Sequence, residues 1–260
     1  MSRTDGRTMR RPEALVEYLL RLGDDRLVLG HRTSEWCGHG PILEEDIALT
    51  NVALDLVGEA QLFLNLAGQT EGEGRDADAL AYWRDETGFR NVQLVELPPG
   101  DFAFTVVRQF LFSAWAHGQL EALASVGHDE LAGIAAKAAK ENRYHLRHAG
   151  EWVVRLGDGT DESHRRAQSA LDELWPWTVE LWYQDDVDRT LQAEGLAPDP
   201  ETLRPAYDAL VKDVLSRATL TVPDVPMRMV GGRRGRHSEF LGHMLAEMQI
   251  VARSHPGASW

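Results

Sequence analysis

Two stretches of the chain each place a glutamate and a histidine four residues apart, Glu141 with His145 and Glu239 with His243. On a helix that spacing is close to one turn, so the two side chains of a pair leave from one face. Carboxylate and imidazole together suit iron. Carboxylates bridge two metal ions and tolerate redox change, and an imidazole gives each metal a neutral donor. Bundles that hold a di-iron centre take one Glu from each of two helices and a Glu-x-x-His from each of two others. The spacing here is Glu-x-x-x-His, one residue longer.

The shorter motif is absent. No Glu is followed three residues on by His, and the one Asp-x-x-His, Asp161 to His164, lies just after Gly159 where an acidic helix cap is expected. A third Glu-x-x-x-His, Glu35 with His39, falls in a Gly-rich loop and reads as local hydrogen bonding. Glu45, Asp55 and Glu59 are further candidate ligands on one long helix, and His117 with Glu121 carries the pair in reversed order. A four-residue spacing does chelate metal in the zinc-binding His-Glu-x-x-His helix, so spacing alone does not exclude a site. The competing reading is a buried hydrogen-bond and ion-pair network, with Arg143, Arg147 and His148 close enough in sequence to neutralise Glu141.

The elements that must position these groups read as helices. Alternating β-branched runs are scarce and helical periodicity is frequent. The pattern predicts helices over Pro12–Leu22, ending at Gly23-Asp24-Asp25, and over Pro41–Ala67, with Pro41 in the first turn. A weaker one covers Asp78–Asp85, and Gly88 to Gly100 is irregular. Asp101 caps a helix to about Val126, and a tight Gly127-His128-Asp129 connection leads into Asp129–Leu156. Thr160 opens another helix reaching Tyr183, which Pro176 kinks or ends, and two more span Ala197–Leu220 and His237–His255. The expectation is an all-α bundle of seven or eight helices forming one domain over 1–260, with 1–11 a loose N-terminus.

Composition narrows the function. A net charge of −14 argues against nucleic acid as a partner, and 43% apolar content without a run of some 20 apolar residues argues against a membrane span. The basic, polar start lacks a signal-peptide core, which points to the cytoplasm. The single cysteine, Cys37, excludes an internal disulfide framework or a cysteine-built metal site. Walker, nucleophile-elbow and His-Glu-x-x-His motifs are absent. The loop Gly231-Gly232-Arg233-Arg234-Gly235-Arg236 has the backbone donors and cations to hold an anion or an acidic partner surface. Trp175, Trp177 and Trp182 around Pro176 suit a core or an interface.

Three strings carry a resemblance: LGDDRLVLGHRTSEWCGHGPILEEDIALTNVALDLVGEAQ at 22–61, ENRYHLRHAGEWVVRLGDGTDESHRRAQSALDELW at 141–175 and GGRRGRHSEFLGHMLAEMQ at 231–249. With the terminal HPGASW they resemble the C subunits of the bacterial ring-1,2-phenylacetyl-CoA epoxidases, also called phenylacetate-CoA oxygenases. The resemblance implies a ferritin-like fold and a place in a multicomponent monooxygenase of aerobic phenylacetate breakdown. It implies that a partner A subunit holds the di-iron centre, that a reductase subunit delivers electrons from NADPH, and that the C-type chain is structural and has no metal ligands. Glu141, His145, Glu239 and His243 are then candidate remnants of ligands. The alternatives are an independent di-iron oxygenase using those four residues, and a ferritin-like storage protein. Gly88, Phe89, Arg90 and Asn91, and more weakly Val187, Asp188 and Arg189, are the segments expected to meet phenylacetyl-CoA or the partner.

Overall fold

The computed structural model describes residues 10–227 and 231–258, and among these the regular structure is helical, with no strand. The expected loose segment at 1–11 falls largely outside the described residues, as do residues 228–230 and the last two. The helices are α1 (Arg11–Ser34), α2 (Leu43–Glu71), α3 (Ala77–Tyr82), α4 (Phe102–Leu123), α5 (Asp129–Gly157), α6 (Asp161–Leu174), α7 (Asp186–Ala193), α8 (Pro200–Arg217) and α9 (Glu239–Ser254). The four long helices set the frame. α1 lies along α2, α4 lies along α5, and α2 meets α5. α6 and α8 close over α4 and α5, α7 sits on α1, and α9 packs on α3.

Hydrophobic burial drives this arrangement. Phe63 and Leu56 of α2, Leu19 and Leu22 of α1, and Phe110 and Phe112 of α4 are all at most 2% exposed. α4 is mostly apolar from Phe102 to Ala116 and is buried on nearly every side, including its polar stripe of Thr105, Arg108, Gln109 and Ser113. The all-α, ferritin-like expectation holds, with nine helices among the described residues instead of seven or eight.

Three boundaries differ and one helix is added, each for a physical reason. α1 does not stop at Gly23-Asp24-Asp25 but runs on to Ser34. Gly23 is there for closeness: a Cβ would stand 2.7 Å from the Leu64 side chain of α2. The two aspartates are buried and paired, so they are not solvated turn residues. Pro41 precedes α2, because the Asp46 carboxylate accepts from the Gly40 N–H at 3.0 Å and holds the chain in a bend. α6 ends at Leu174, and around Pro176 the chain tightens into a 3-10 turn over Trp175–Trp182. α7 is an addition to the expected set. It is short, and it is stabilised by Asp185, whose carboxylate accepts from the Val187 N–H at 3.0 Å.

Candidate functional site

The most concentrated chemistry in the molecule lies along α1. Arg21, Asp24, Asp25, Arg26 and Arg32 are all buried, which is tolerable only if each charge is paired. Asp24 accepts from Arg84 at 2.9 Å and from the Arg90 N–H at 2.8 Å. Asp25 receives Arg233 through two bonds of 2.9 and 2.8 Å and the Val92 N–H at 2.8 Å. Burial raises the Asp25 carboxyl above its ordinary range against the pull of Arg233. Arg21 bridges Asp185 at 2.7 Å and Asp188 at 3.0 Å. Burial pushes both of these carboxyls up. The hydrogen bond from Arg21 reverses that for Asp185, which ends low, while Asp188 stays high.

Two further buried carboxylates gather the irregular segments. Glu180 accepts the N–H groups of Gly231 at 2.9 Å, Gly232 at 2.7 Å and Gln93 at 2.7 Å. Glu96 accepts from Asn91 at 3.0 Å and from the Ser238 N–H, and contacts His237 Nδ1 at 2.9 Å. The other ring nitrogen of His237 faces the carbonyl of Phe89 at 3.1 Å. Burial alone would depress this imidazole, but the Glu96 carboxylate outweighs burial and the net shift is upward. With an acceptor at each nitrogen, the geometry fits an imidazolium.

The Glu/His pairs are not brought together. His145 is buried and its Nε2 lies 3.0 Å from Asp55 of α2, while its neighbour His148 meets Glu45 at 2.8 Å. Glu141 pairs with Lys137, not with Arg143 or Arg147. Lys137 is one turn back on the same side of α5, whereas Arg143 and Arg147 leave the helix from a different side than Glu141. Glu239 and His243 are exposed on α9, which packs on α3 and the turn at Glu86–Gly88. Glu35 pairs with Arg32, and His39 contacts the carbonyl of Cys37. His117 and Glu121 form a loose surface pair at 3.7 Å.

Would these residues hold two iron ions? Among the described residues no group of three or more His, Cys, Asp or Glu side chains is gathered as a metal requires. The most deeply buried acid of α2, Glu59, is held at 2.6 Å by the buried guanidinium of Arg26. Burial raises the Glu59 carboxyl, and Arg26 and His145 pull against it. A fixed cation against the carboxylate opposes a second positive charge there. The donor set does not fit a di-iron centre, although Arg26 Nη2, Glu59 Oε1, Glu141 Oε2 and His145 Nδ1 are buried without a protein partner.

The expected contact segments are packed largely inward, with Arg189 left exposed. Phe89 and Asn91 are fully buried, with the Arg84 guanidinium 4.4 Å from the Phe89 ring centroid. Arg90 pairs with Glu17 at 2.8 Å, and Gly88 gives its carbonyl to Arg84. Val187 is buried, Asp188 is committed to Arg21, and Arg189 is exposed beside Asp186. The three arginines of the 231–236 loop do not converge. Arg233 turns inward to Asp25, Arg234 lies over the Tyr183 ring at 5.1 Å, and Arg236 is exposed. The loop does hold an anion, but it is the carboxylate of Glu180.

Comparison with known proteins bears on the whole chain. Residues 1–260 match the family model described as phenylacetic acid catabolic protein. The chain belongs to that family. It is 49% identical over 246 residues to the C subunit of the 1,2-phenylacetyl-CoA epoxidase of Escherichia coli (strain K12), covering 95% of this chain and 99% of that protein.

Within this family member, the residues that organise the interior are those whose signals mislead. Gly-Asp-Asp at 23–25 has the composition of a turn, yet here it is the middle of α1. The usable signal is the charge itself. Arg21, Asp24, Asp25, Arg26 and Arg32 sit among Leu19, Leu22, Val28 and Leu29, so no register of that helix keeps every charge in water. The tryptophans around Pro176 are half-buried and packed against the core, with Trp182 edge-on against Tyr207 at 5.1 Å.

Proposed function

We propose that this chain is the structural, non-catalytic subunit of a phenylacetyl-CoA 1,2-epoxidase, a multicomponent monooxygenase of aerobic phenylacetate catabolism. It supports a di-iron subunit that performs the chemistry, with electrons from NADPH arriving through a reductase subunit. The observation that carries this reading is the 49% identity, nearly end to end, to the C subunit of the Escherichia coli epoxidase. The interior supports it. Glu59, the most deeply buried acid of α2, is paired with Arg26, and the second Glu/His pair, Glu239 with His243, faces solvent. That exposure also removes the support for an independent oxygenase built on Glu141, His145, Glu239 and His243.

The test is co-expression with the catalytic chain of the epoxidase, followed by affinity capture and iron analysis of each chain. The expected result is a complex with iron in the catalytic chain, and turnover of phenylacetyl-CoA that requires both chains. Stoichiometric redox-active iron in this chain purified alone would overturn the reading.

A further inference from the structure

Between α4 and α8 the packing is incomplete, and the gap has a definite size and lining. It is a cavity of about 140 Å³, walled by Trp115 of α4, by Leu203 and Tyr207 of α8, and by Trp182 at the end of the 3-10 turn. Its mouth lies at His117 and Glu121, whose side chains are 31% and 56% exposed. Gly118 keeps the space open. A Cβ there would stand 3.7 Å from Leu203, in ordinary contact, so a longer side chain at this position would enter the cavity.

Water fills this space poorly. At about 30 Å³ per molecule there is room for some four waters, and each needs two to four polar partners. Among the lining side chains two buried polar atoms are without a protein partner, Tyr207 Oη and His117 Nδ1. A neighbouring cavity of about 30 Å³, which shares Trp115 and Leu203, makes the contrast. There Arg21 Nε, Gln119 Oε1 and Tyr183 Oη are unpaired around a space of one water's size, and a single water satisfies them.

Size and chemistry together indicate the occupant of the larger cavity. A dry cavity of about 150 Å³ in a protein core holds one benzene ring. Trp115, Trp182 and Tyr207 offer ring edges and faces to such a guest, and Trp182 and Tyr207 already meet edge-on at 5.1 Å. Tyr207 is 5% exposed, and burial raises its pKa, so the hydroxyl keeps its proton. A buried hydroxyl in an otherwise apolar wall calls for one polar group on the guest. Charge is disfavoured in either sign. Glu121 at the mouth opposes an anion. The Arg204 guanidinium already lies over the Trp182 ring, 5.3 Å from its centroid, and opposes a cation. A quaternary ammonium, the other guest of aromatic cages, has no hydrogen bond to give Tyr207. We propose that the α4–α8 cavity is a binding site for a neutral molecule of one aromatic ring bearing one hydroxyl, which pairs with Tyr207 Oη. The proposal is independent of the function proposed above.

Phenol is the probe, with toluene and tetramethylammonium as comparisons. The full chain is titrated with each, and amide NMR spectra are followed at residues 114–118 and 203–210. The expected result is saturable one-to-one binding of phenol, with a Kd on the order of 1 mM or tighter. Toluene should bind more weakly and tetramethylammonium not at all. Tyr207→Phe should weaken phenol about threefold to tenfold, the worth of one hydrogen bond, and leave toluene unchanged. Thermal stability of the free Tyr207→Phe chain should equal or exceed the wild type, because an unpaired buried hydroxyl is removed. Gly118→Leu should fill the space and abolish phenol binding, with circular dichroism unchanged. If that variant does not fold, the ratio of phenol to toluene affinity in Tyr207→Phe decides alone. Absence of saturation at phenol concentrations roughly tenfold above that Kd would overturn the inference and leave the cavity to water. Wild-type affinity in Gly118→Leu, equal affinity for phenol and toluene, or tighter binding of tetramethylammonium would each overturn it as well.

Discussion

Asp25 and Arg233 meet through two hydrogen bonds, of 2.9 and 2.8 Å, across a sequence separation of 208 residues. Both side chains are at most 8% exposed. The pair joins the middle of α1 to the loop before α9. Around it Asp24–Arg84 ties α1 to the segment after α3, Glu180 ties the turn around Pro176 to the 231–232 amides, and Glu96–His237 ties the segment before α4 to the start of α9.

Removing one partner of this pair should hurt more than removing both. Arg233→Met leaves Asp25 buried without its cation, at a cost of about 3–5 kcal/mol. The double variant Asp25→Asn with Arg233→Met should recover part of that loss. Urea unfolding of the wild type, Asp25→Asn, Arg233→Met and the double variant measures it, and additive single-variant losses would refute the coupling.

Gly232 has no room for a side chain. A Cβ there would lie 2.1 Å from the carbonyl oxygen of Asn91, which is backbone and cannot swing aside. Gly232→Ala should therefore displace the loop, cost at least about 2 kcal/mol, and speed amide exchange at residues 231–238. Gly58→Ala is the control, because nothing stands within 4 Å of its Cβ direction.

The His237 imidazole gives a dependence on pH with a definite sign. Its folded-state pKa is raised above the ordinary 6.5, so protonated His237 adds stability that is fully present below that value. The contribution fades as pH rises through the folded-state pKa. The unfolding free energy of wild type minus that of His237→Gln, measured between about pH 5.5 and 9, should shrink with rising pH. A difference that grows with pH would contradict the doubly bonded imidazolium.

Glu180 serves as the internal anion of the 231–232 turn. Glu180→Gln keeps the shape but loses the charge that three backbone N–H groups converge on. The expected cost is about 1–3 kcal/mol, read from urea unfolding. Added phosphate or sulfate should restore none of it, because the turn is buried and built around a tethered carboxylate.

Much of the architecture is legible in the sequence, and for clear reasons. Asp101 and Thr160 cap α4 and α6 as their positions require, with Phe104 N at 2.9 Å from Asp101 and Ser163 N at 3.2 Å from Thr160. Those signals are local, and so they survive in one dimension. The site is harder to see. That Glu180 seats itself in the 231–232 amides, or that Arg26 lies against Glu59, depends on contacts between elements far apart in the chain. Local propensity reads Gly23-Asp24-Asp25 as a stop, and long-range pairing overrides it. The pairing of Glu141 illustrates the opposite error. Lys137 is the correct partner by helical geometry alone, one turn back on the same side of α5.

The separation between Asp25 and Arg233 also sets a timetable for biosynthesis. At synthesis rates of about 5–20 residues per second, the 208 residues between them take roughly 10–40 s to emerge. For that interval α1 carries a carboxylate whose counter-ion does not yet exist, so it cannot settle dry against its neighbours. The interior closes only when the chain is nearly complete. A product truncated before residue 233 retains the apolar helices but lacks the cation that lets them seal, which marks it out for chaperones and proteases.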